Sequence, residues 1–210
     1  MIVLIKKQDT ILFQGDSITD CGRSREDESN LGEGYAMMAA ARFNASYPEK
    51  EVTFLNRGIS GNRVKDLKNR WQEDCLDLKP DIISILIGIN DCWRRYDSND
   101  PTSVEDFKEG YHYILTEIKK NLKAEIILGE PFLLPVKKEQ KRWREDLDPK
   151  IQAVRELARE FDTLYLPLDG LFAQAAVKRK PSFWAADGVH PTPAGHAFIA
   201  SKWLEIVEKE

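Results

Sequence analysis

The sequence predicts an α/β fold, a three-layer sandwich built on a five-stranded parallel sheet in the flavodoxin-like order 2-1-3-4-5. Three observations predict it. Short apolar runs alternate with helical periodicity from end to end, the pattern of strands joined by right-handed helical crossovers. The run Ile82-Ile-Ser-Ile-Leu-Ile87 is nearly all apolar and β-branched, as a strand buried on both faces must be. The chain has 210 residues, 42% of them hydrophobic. That is enough for one domain over 1–210 that buries roughly 70% of the surface of its unfolded form. No internal repeat, low-complexity stretch or linker divides it.

Each element has its own signal. Ile11–Gln14 leads into Gly15 and reads as the first strand. Val52–Asn56 reads as the second, Ile82–Ile87 as the third and Glu125–Gly129 as the fourth. Leu164–Pro167 is short and ends in proline, which places it at an edge. Val64, Leu67, Trp71, Cys75 and Leu78 share one helical face. Val104, Phe107, Tyr111, Ile114, Ile118 and Leu122 form a longer stripe, preceded by the capping signal Ser103-Val-Glu-Asp106. Asp148-Pro149 and Thr192-Pro193 each read as an N-cap followed by proline at the first helical position. His112 and His196 fall within helical patterns. The segments Asp20–Gly34, Cys92–Pro101 and Phe132–Leu147 are expected to be long loops on the carboxyl-end face of the sheet, where such loops carry function.

Composition narrows the function. With 31 basic and 35 acidic residues the net charge is −4, which gives neither a nucleic-acid footprint nor a polybasic membrane patch. The mixed run Lys137–Arg142 reads as solvated surface. The opening Met1-Ile-Val-Leu-Ile-Lys6-Lys7 is too short for a signal h-region and carries its lysines on the wrong side. No apolar stretch is long enough to span a bilayer. Cys21, Cys75 and Cys92 are odd in number and form no CxxC pair, which favours packing roles in a reducing, cytoplasmic compartment.

Four segments carry candidate chemistry. In Gly15-Asp16-Ser17-Ile18-Thr19-Asp20, a serine directly after a strand exposes its hydroxyl and leaves the turn's N–H groups free for an oxyanion. A serine that merely starts a helix is an equally good account of that segment alone. In Asp187-Gly188-Val189-His190-Pro191, an imidazole can take a serine proton while a carboxylate three residues earlier fixes its tautomer. The competing account is an exposed histidine ahead of a helix. A metal site from Asp187, His190 and His196 lacks a further ligand and ranks below the triad. In Asn56-Arg57-Gly58-Ile59-Ser60-Gly61-Asn62 the glycines allow backbone N–H groups to face a ligand, or simply serve a turn. In Gly88-Ile89-Asn90-Asp91 a side-chain amide at a strand end can donate to an oxyanion, or cap a helix.

Taken together, Gly15-Asp16-Ser17, Gly61, Gly88-Ile-Asn90-Asp91 and Asp187-x-x-His190-Pro191 resemble the four blocks of the SGNH (GDSL) hydrolases, in that family's order and over nearly the whole chain. The resemblance implies a serine esterase that needs no metal or organic cofactor. Ser17 would be its nucleophile, His190 its base and Asp187 the partner of the base. The oxyanion hole would comprise the Ser17 and Gly61 N–H groups and the Asn90 side chain, with Gly58 as the rival to Gly61. Residues 15–23, 56–62 and 88–96 are similar to the bacterial acetyl xylan esterase branch. Ala186 departs from it, standing where that branch carries tryptophan, with Trp184 nearby.

The implied reaction is hydrolysis of short-chain acyl esters, foremost the deacetylation of acetylated sugars or xylo-oligosaccharides through an acyl-serine. The rival activities are a general short-chain esterase and a lysophospholipase-like thioesterase. A rival of another class is a non-catalytic carbohydrate-binding relative. Trp93 and Trp184 are the candidate substrate-binding aromatics; with Phe183 they would close the acyl pocket. Trp143, read as an exposed loop residue, is a candidate sugar platform or subunit contact of a homo-oligomer.

Overall fold

The computed structural model describes residues 2–209. The strands are β1 (Ile2–Val3), β2 (Thr10–Gly15), β3 (Thr53–Asn56), β4 (Ile82–Leu86), β5 (Glu125–Gly129), β6 (Leu164–Leu166) and β7 (Glu208–Lys209). The helices are α1 (Ser17–Asp20), α2 (Tyr35–Ser46), α3 (Val64–Asn69), α4 (Ile89–Asp97), α5 (Val104–Asn121), α6 (Arg144–Glu160), α7 (Leu168–Lys178), α8 (Pro181–Trp184) and α9 (Pro193–Val207). The main sheet is five-stranded in the order β3-β2-β4-β5-β6, every neighbour pair parallel. That is the predicted 2-1-3-4-5 order, counted over the sheet's own strands. The short ribbon of β1 and β7, which ties the two ends of the chain antiparallel, carried no sequence signal.

Alternation along β4 explains the layers. Ile82 and Leu86 face a core shared with α2 and α9, whereas Ile83, Ile85 and Ile87 face a second core shared with α3, α5 and α6. The lone polar residue of the strand, Ser84, is buried on the first side, where its hydroxyl accepts the Trp203 indole N–H at 3.1 Å. The predicted caps at Ser103 and Thr192 form: their hydroxyls accept the N–H groups of Asp106 and Gly195.

Four expectations need correction. Pro149 does not open its helix but lies inside α6, which starts at Arg144. There it gives up the hydrogen bond to the Glu145 carbonyl and its ring crowds that carbonyl; the Arg144–Asp148 ion pair at 2.6 Å spans the same turn. Most of the expected loop Cys92–Pro101 is α4, whose Ile89, Cys92, Trp93 and Tyr96 make a short amphipathic stripe hidden among charges. The stripe from Val64 to Leu78 is interrupted: α3 ends at Asn69 and a π-turn follows over Gln72–Leu76, with Asp77 N–H bonded to the Gln72 carbonyl. Trp143 is not exposed but buried, its ring 5.5 Å from Trp93 and stacked on Tyr96. The short 3-10 helix Lys138–Trp143 turns it inward.

Candidate active site

The carboxyl ends of β2, β3 and β4 and the turn before α9 converge on one place. At the end of β2, Asp16 caps α1 by accepting the Ile18 N–H at 3.0 Å, which puts Ser17 at the first position of the helix. From Ile11 to Asp20 every residue is buried except Ser17. Its Oγ lies 3.0 Å from Nε2 of His190. Nδ1 of His190 lies 2.6 Å from Oδ2 of Asp187, whose other oxygen accepts the Val189 and His190 backbone N–H groups at 2.9 and 2.8 Å. A carboxylate can only accept, so Nδ1 carries the proton and Nε2 is left to accept from the serine. Partial burial raises the Asp187 pKa, but the His190 ring and the two backbone donors outweigh it and hold the carboxyl below its ordinary range. Asp187 is therefore ionised wherever His190 needs an anionic partner.

The loop after β3 is bound to α1 by polar contacts. Asn56 donates to the carbonyls of Thr19 and Leu31 and accepts the Gly58 N–H at 2.8 Å. Asp20 accepts both the backbone and the hydroxyl of Ser60 at 2.9 Å. A Cβ on Gly58 would lie 2.3 Å from the Asp20 nitrogen, so only glycine lets the two segments touch. These contacts separate the two rival glycines. The Gly58 N–H is already committed to Asn56, whereas among the described residues no hydrogen bond uses the N–H of Gly61 or of Ser17. Asn90, in the first turn of α4, is buried and donates one amide hydrogen to the Asn62 carbonyl at 3.1 Å. Its second hydrogen is left for a ligand. Arg70 braces this side, its guanidinium reaching Gln14, Asn62, Asp74 and the Gly15 carbonyl.

Two buried carboxyls lie behind these groups. Burial pushes the pKa values of Asp16 and Asp91 up to about 7, the Ile18 and Val64 N–H groups pulling back in part. The other histidine of the metal reading turns away. His196 accepts the Tyr35 N–H on Nδ1 and meets the Cys21 thiol with Nε2. Burial, and then the charge of His190, press its pKa down to about 4.

The aromatic candidates separate as well. The Trp93 ring lies 5.8 Å from the His190 ring, with Arg94 over its face. Trp184 instead sends its indole N–H to the carbonyls of Ala175 and Arg179 and packs on Phe198, so its ring is spent on α7 and α9. Sequence reading missed Gln140 altogether. It lies in the run taken for solvated surface, yet it is only 5% exposed, and it bonds the Asp187 carbonyl at 2.6 Å. One inward side chain among charged neighbours on a 3-10 turn leaves no periodic signal.

Comparison with known proteins shows the family. The chain matches the GDSL-like lipase/acylhydrolase family over residues 13–198. It is 39% identical over 202 residues to an acetylxylan esterase of Geobacillus stearothermophilus, covering 92% of this chain and 91% of that one. It superposes on the crystal structure of Axe2, an acetylxylan esterase from the same organism, with a TM-score of 0.91 and 36% identity, over 99% of this chain and 97% of that one. A Parabacteroides merdae protein assigned as a GDSL-like lipase superposes with a TM-score of 0.94 and 35% identity, covering 99% of both chains. Structures of Axe2 include catalytic mutants in which a serine, an aspartate and a histidine are each replaced by alanine. The chain belongs to the GDSL-like lipase/acylhydrolase family and is a serine ester hydrolase.

Proposed function

We propose that the chain removes short acyl groups, acetyl above all, from acetylated sugars or xylo-oligosaccharides, with Ser17, His190 and Asp187 as its catalytic triad. The observation that carries the reading is the continuous chain of contacts from the Ser17 hydroxyl through His190 to Asp187. His190 takes the Ser17 proton as Oγ attacks the acyl carbon. The oxyanion that forms is held by the N–H groups of Ser17 and Gly61 and by Asn90. Collapse breaks the ester bond, and His190 gives its proton to the departing sugar oxygen, which leaves as a hydroxyl. Water then attacks the acyl-serine with His190 again as base, releasing the carboxylic acid and restoring Ser17.

The substrate class is supported by the acetylxylan esterase relatives and by the walls of the site. Trp93 stands against His190, beside Trp143, which stacks on Tyr96, so one wall of the site is built of rings, which supports a short acyl group. A long acyl chain would need a groove to bury its methylenes at about 0.8 kcal/mol each. We read 1–210 as one catalytic domain, a reading supported by the extent of the family match. Among the described residues no helix is long and apolar enough to cross a membrane. Three free cysteines suit a reducing, cytoplasmic setting.

The test is hydrolysis of p-nitrophenyl esters from acetyl to octanoyl beside acetylated xylo-oligosaccharides. Acetyl esters are expected to be cleaved best, with kcat/KM falling steeply by butyryl or hexanoyl, and the oligosaccharides to be deacetylated. Octanoate cleaved as well as acetate would replace this reading with a lipase-like or thioesterase one.

A further inference from the structure

The turn that carries Asp187 and His190 is short, half-exposed and built around Gly188, whose φ of +90° is open to glycine and costly for most residues. Left to itself such a turn would sample several conformations, and the Asp187–His190 contact with it. What holds it is the segment after β5. The Leu134 N–H donates to the Gly188 carbonyl at 2.9 Å. Gln140 completes the clamp from both ends of its amide. Nε2 donates to the Asp187 carbonyl at 2.6 Å, while Oε1 accepts the N–H groups of Val136 and Lys137 at 2.9 and 3.0 Å. The same amide packs on the bare face of Gly188: a Cβ there would lie 2.9 Å from Oε1 and 3.0 Å from Nε2. The 3-10 helix of Gln140 also carries Trp143, which backs Trp93, which in turn lies against His190. One short segment thus meets the acid–base pair from two directions.

We infer that Gln140 is a positioning residue for the triad: its buried amide fixes the backbone of Asp187, and through it the orientation of His190 toward Ser17. This rests on the assignment of Asp187 and His190 proposed above. The role is one of geometry. The amide touches neither substrate nor the reacting atoms, but a misplaced base loses rate steeply.

The test combines Gln140→Met, which keeps length and removes the amide, with Gln140→Glu, which keeps an acceptor for Val136 and Lys137 but cannot donate to Asp187 when ionised. Each is made in the wild-type and in the Asp187→Ala background, with kcat, KM and Tm measured on an acetyl ester. In the wild-type background both are expected to lower kcat by about 10-fold to 10²-fold, the scale on which displaced catalytic groups lose rate, with KM within about twofold. In the Asp187→Ala background the same changes should cost less than about twofold, because the backbone carbonyl remains but the carboxylate that Gln140 is inferred to place against His190 is already gone. Loss of the same factor in both backgrounds would overturn the proposal. So would a lower Tm with unchanged kcat, or failure of both variants to fold, either of which makes Gln140 part of the scaffold only. If Asp187→Ala alone leaves kcat intact, the triad assignment falls instead, and that outcome is read before any Gln140 variant.

Discussion

At the scale of single residues, the site is a set of polar groups whose partners are fixed before substrate arrives. Asn90 uses one amide hydrogen on the Asn62 carbonyl and keeps the other. In the proposed oxyanion role that second bond strengthens as the oxyanion forms, so Asn90→Ala is expected to lower kcat by about 10²–10³, or about 2.7–4 kcal/mol, and to change KM far less. Steady-state kinetics on an acetyl ester check it; an effect confined to KM would make Asn90 a binding group only. His196 makes a different prediction, about stability. Its pKa lies near 4 in the folded chain against an ordinary 6.5, so between those values the unfolded chain binds a proton that the folded chain refuses. Stability from this residue is full above about 6.5 and is lost as pH falls towards about 4. Asp16 and Asp91 run the other way: raised to about 7, they cost stability at neutral pH, a cost relieved as pH falls towards 3.8. His196→Asn, which removes one titration and leaves the others, is therefore expected to raise Tm relative to the wild type progressively as pH falls from 6.5 to 4. An unchanged slope of Tm against pH would show that His196 is not held neutral.

At the scale of elements, α1 and the loop after β3 act as one body. Gly58 is where they touch, and Gly58→Ala pushes a methyl against the Asp20 backbone. Overpacking of this kind costs about 1–3 kcal/mol, which for a chain of this size is a fall in Tm of several degrees, measurable by thermal melting. Activity of the folded fraction should fall too, since the same shift moves Ser17 and Gly61 apart; an unperturbed Tm would mean that the loop yields freely. The elements were legible where one force dominated. Strands buried on both faces, such as Ile82–Leu86, declare themselves by composition, and Ser103 and Thr192 mark helix starts because their hydroxyls serve orphan N–H groups. Elements were misread where two signals competed. Pro149 looks like a helix start by residue type, but the apolar and charged residues ahead of it carry the helix back to Arg144 and leave the proline inside α6. In α4 charge hid a short apolar stripe, and in Lys138–Trp143 it hid two inward residues, Gln140 and Trp143.

At the scale of the whole molecule, the sheet order explains why the proposed triad, so dispersed in sequence, comes together in space. Parallel strands put all their carboxyl ends on one face, so residues 17, 61 and 90 follow β2, β3 and β4, and α9 brings the turn of 187–190 to meet them. That much could be read from the sequence, because each block sits just past a strand or before a capped helix. What could not be read is the bracing: Arg70, Asn56, Asp20 and Gln140 act through contacts between segments far apart in the chain, and no local pattern records such contacts. The account as a whole stands on Ser17 being the one nucleophile. The most direct measurement is intact and peptide mass spectrometry after exposure to a serine-directed organophosphate, beside the kinetics of Ser17→Ala. The account predicts a single adduct on Ser17, a folded Ala variant with unchanged Tm, and no turnover of an acetyl ester. An adduct on another residue, or substantial activity in the Ala variant, would contradict it.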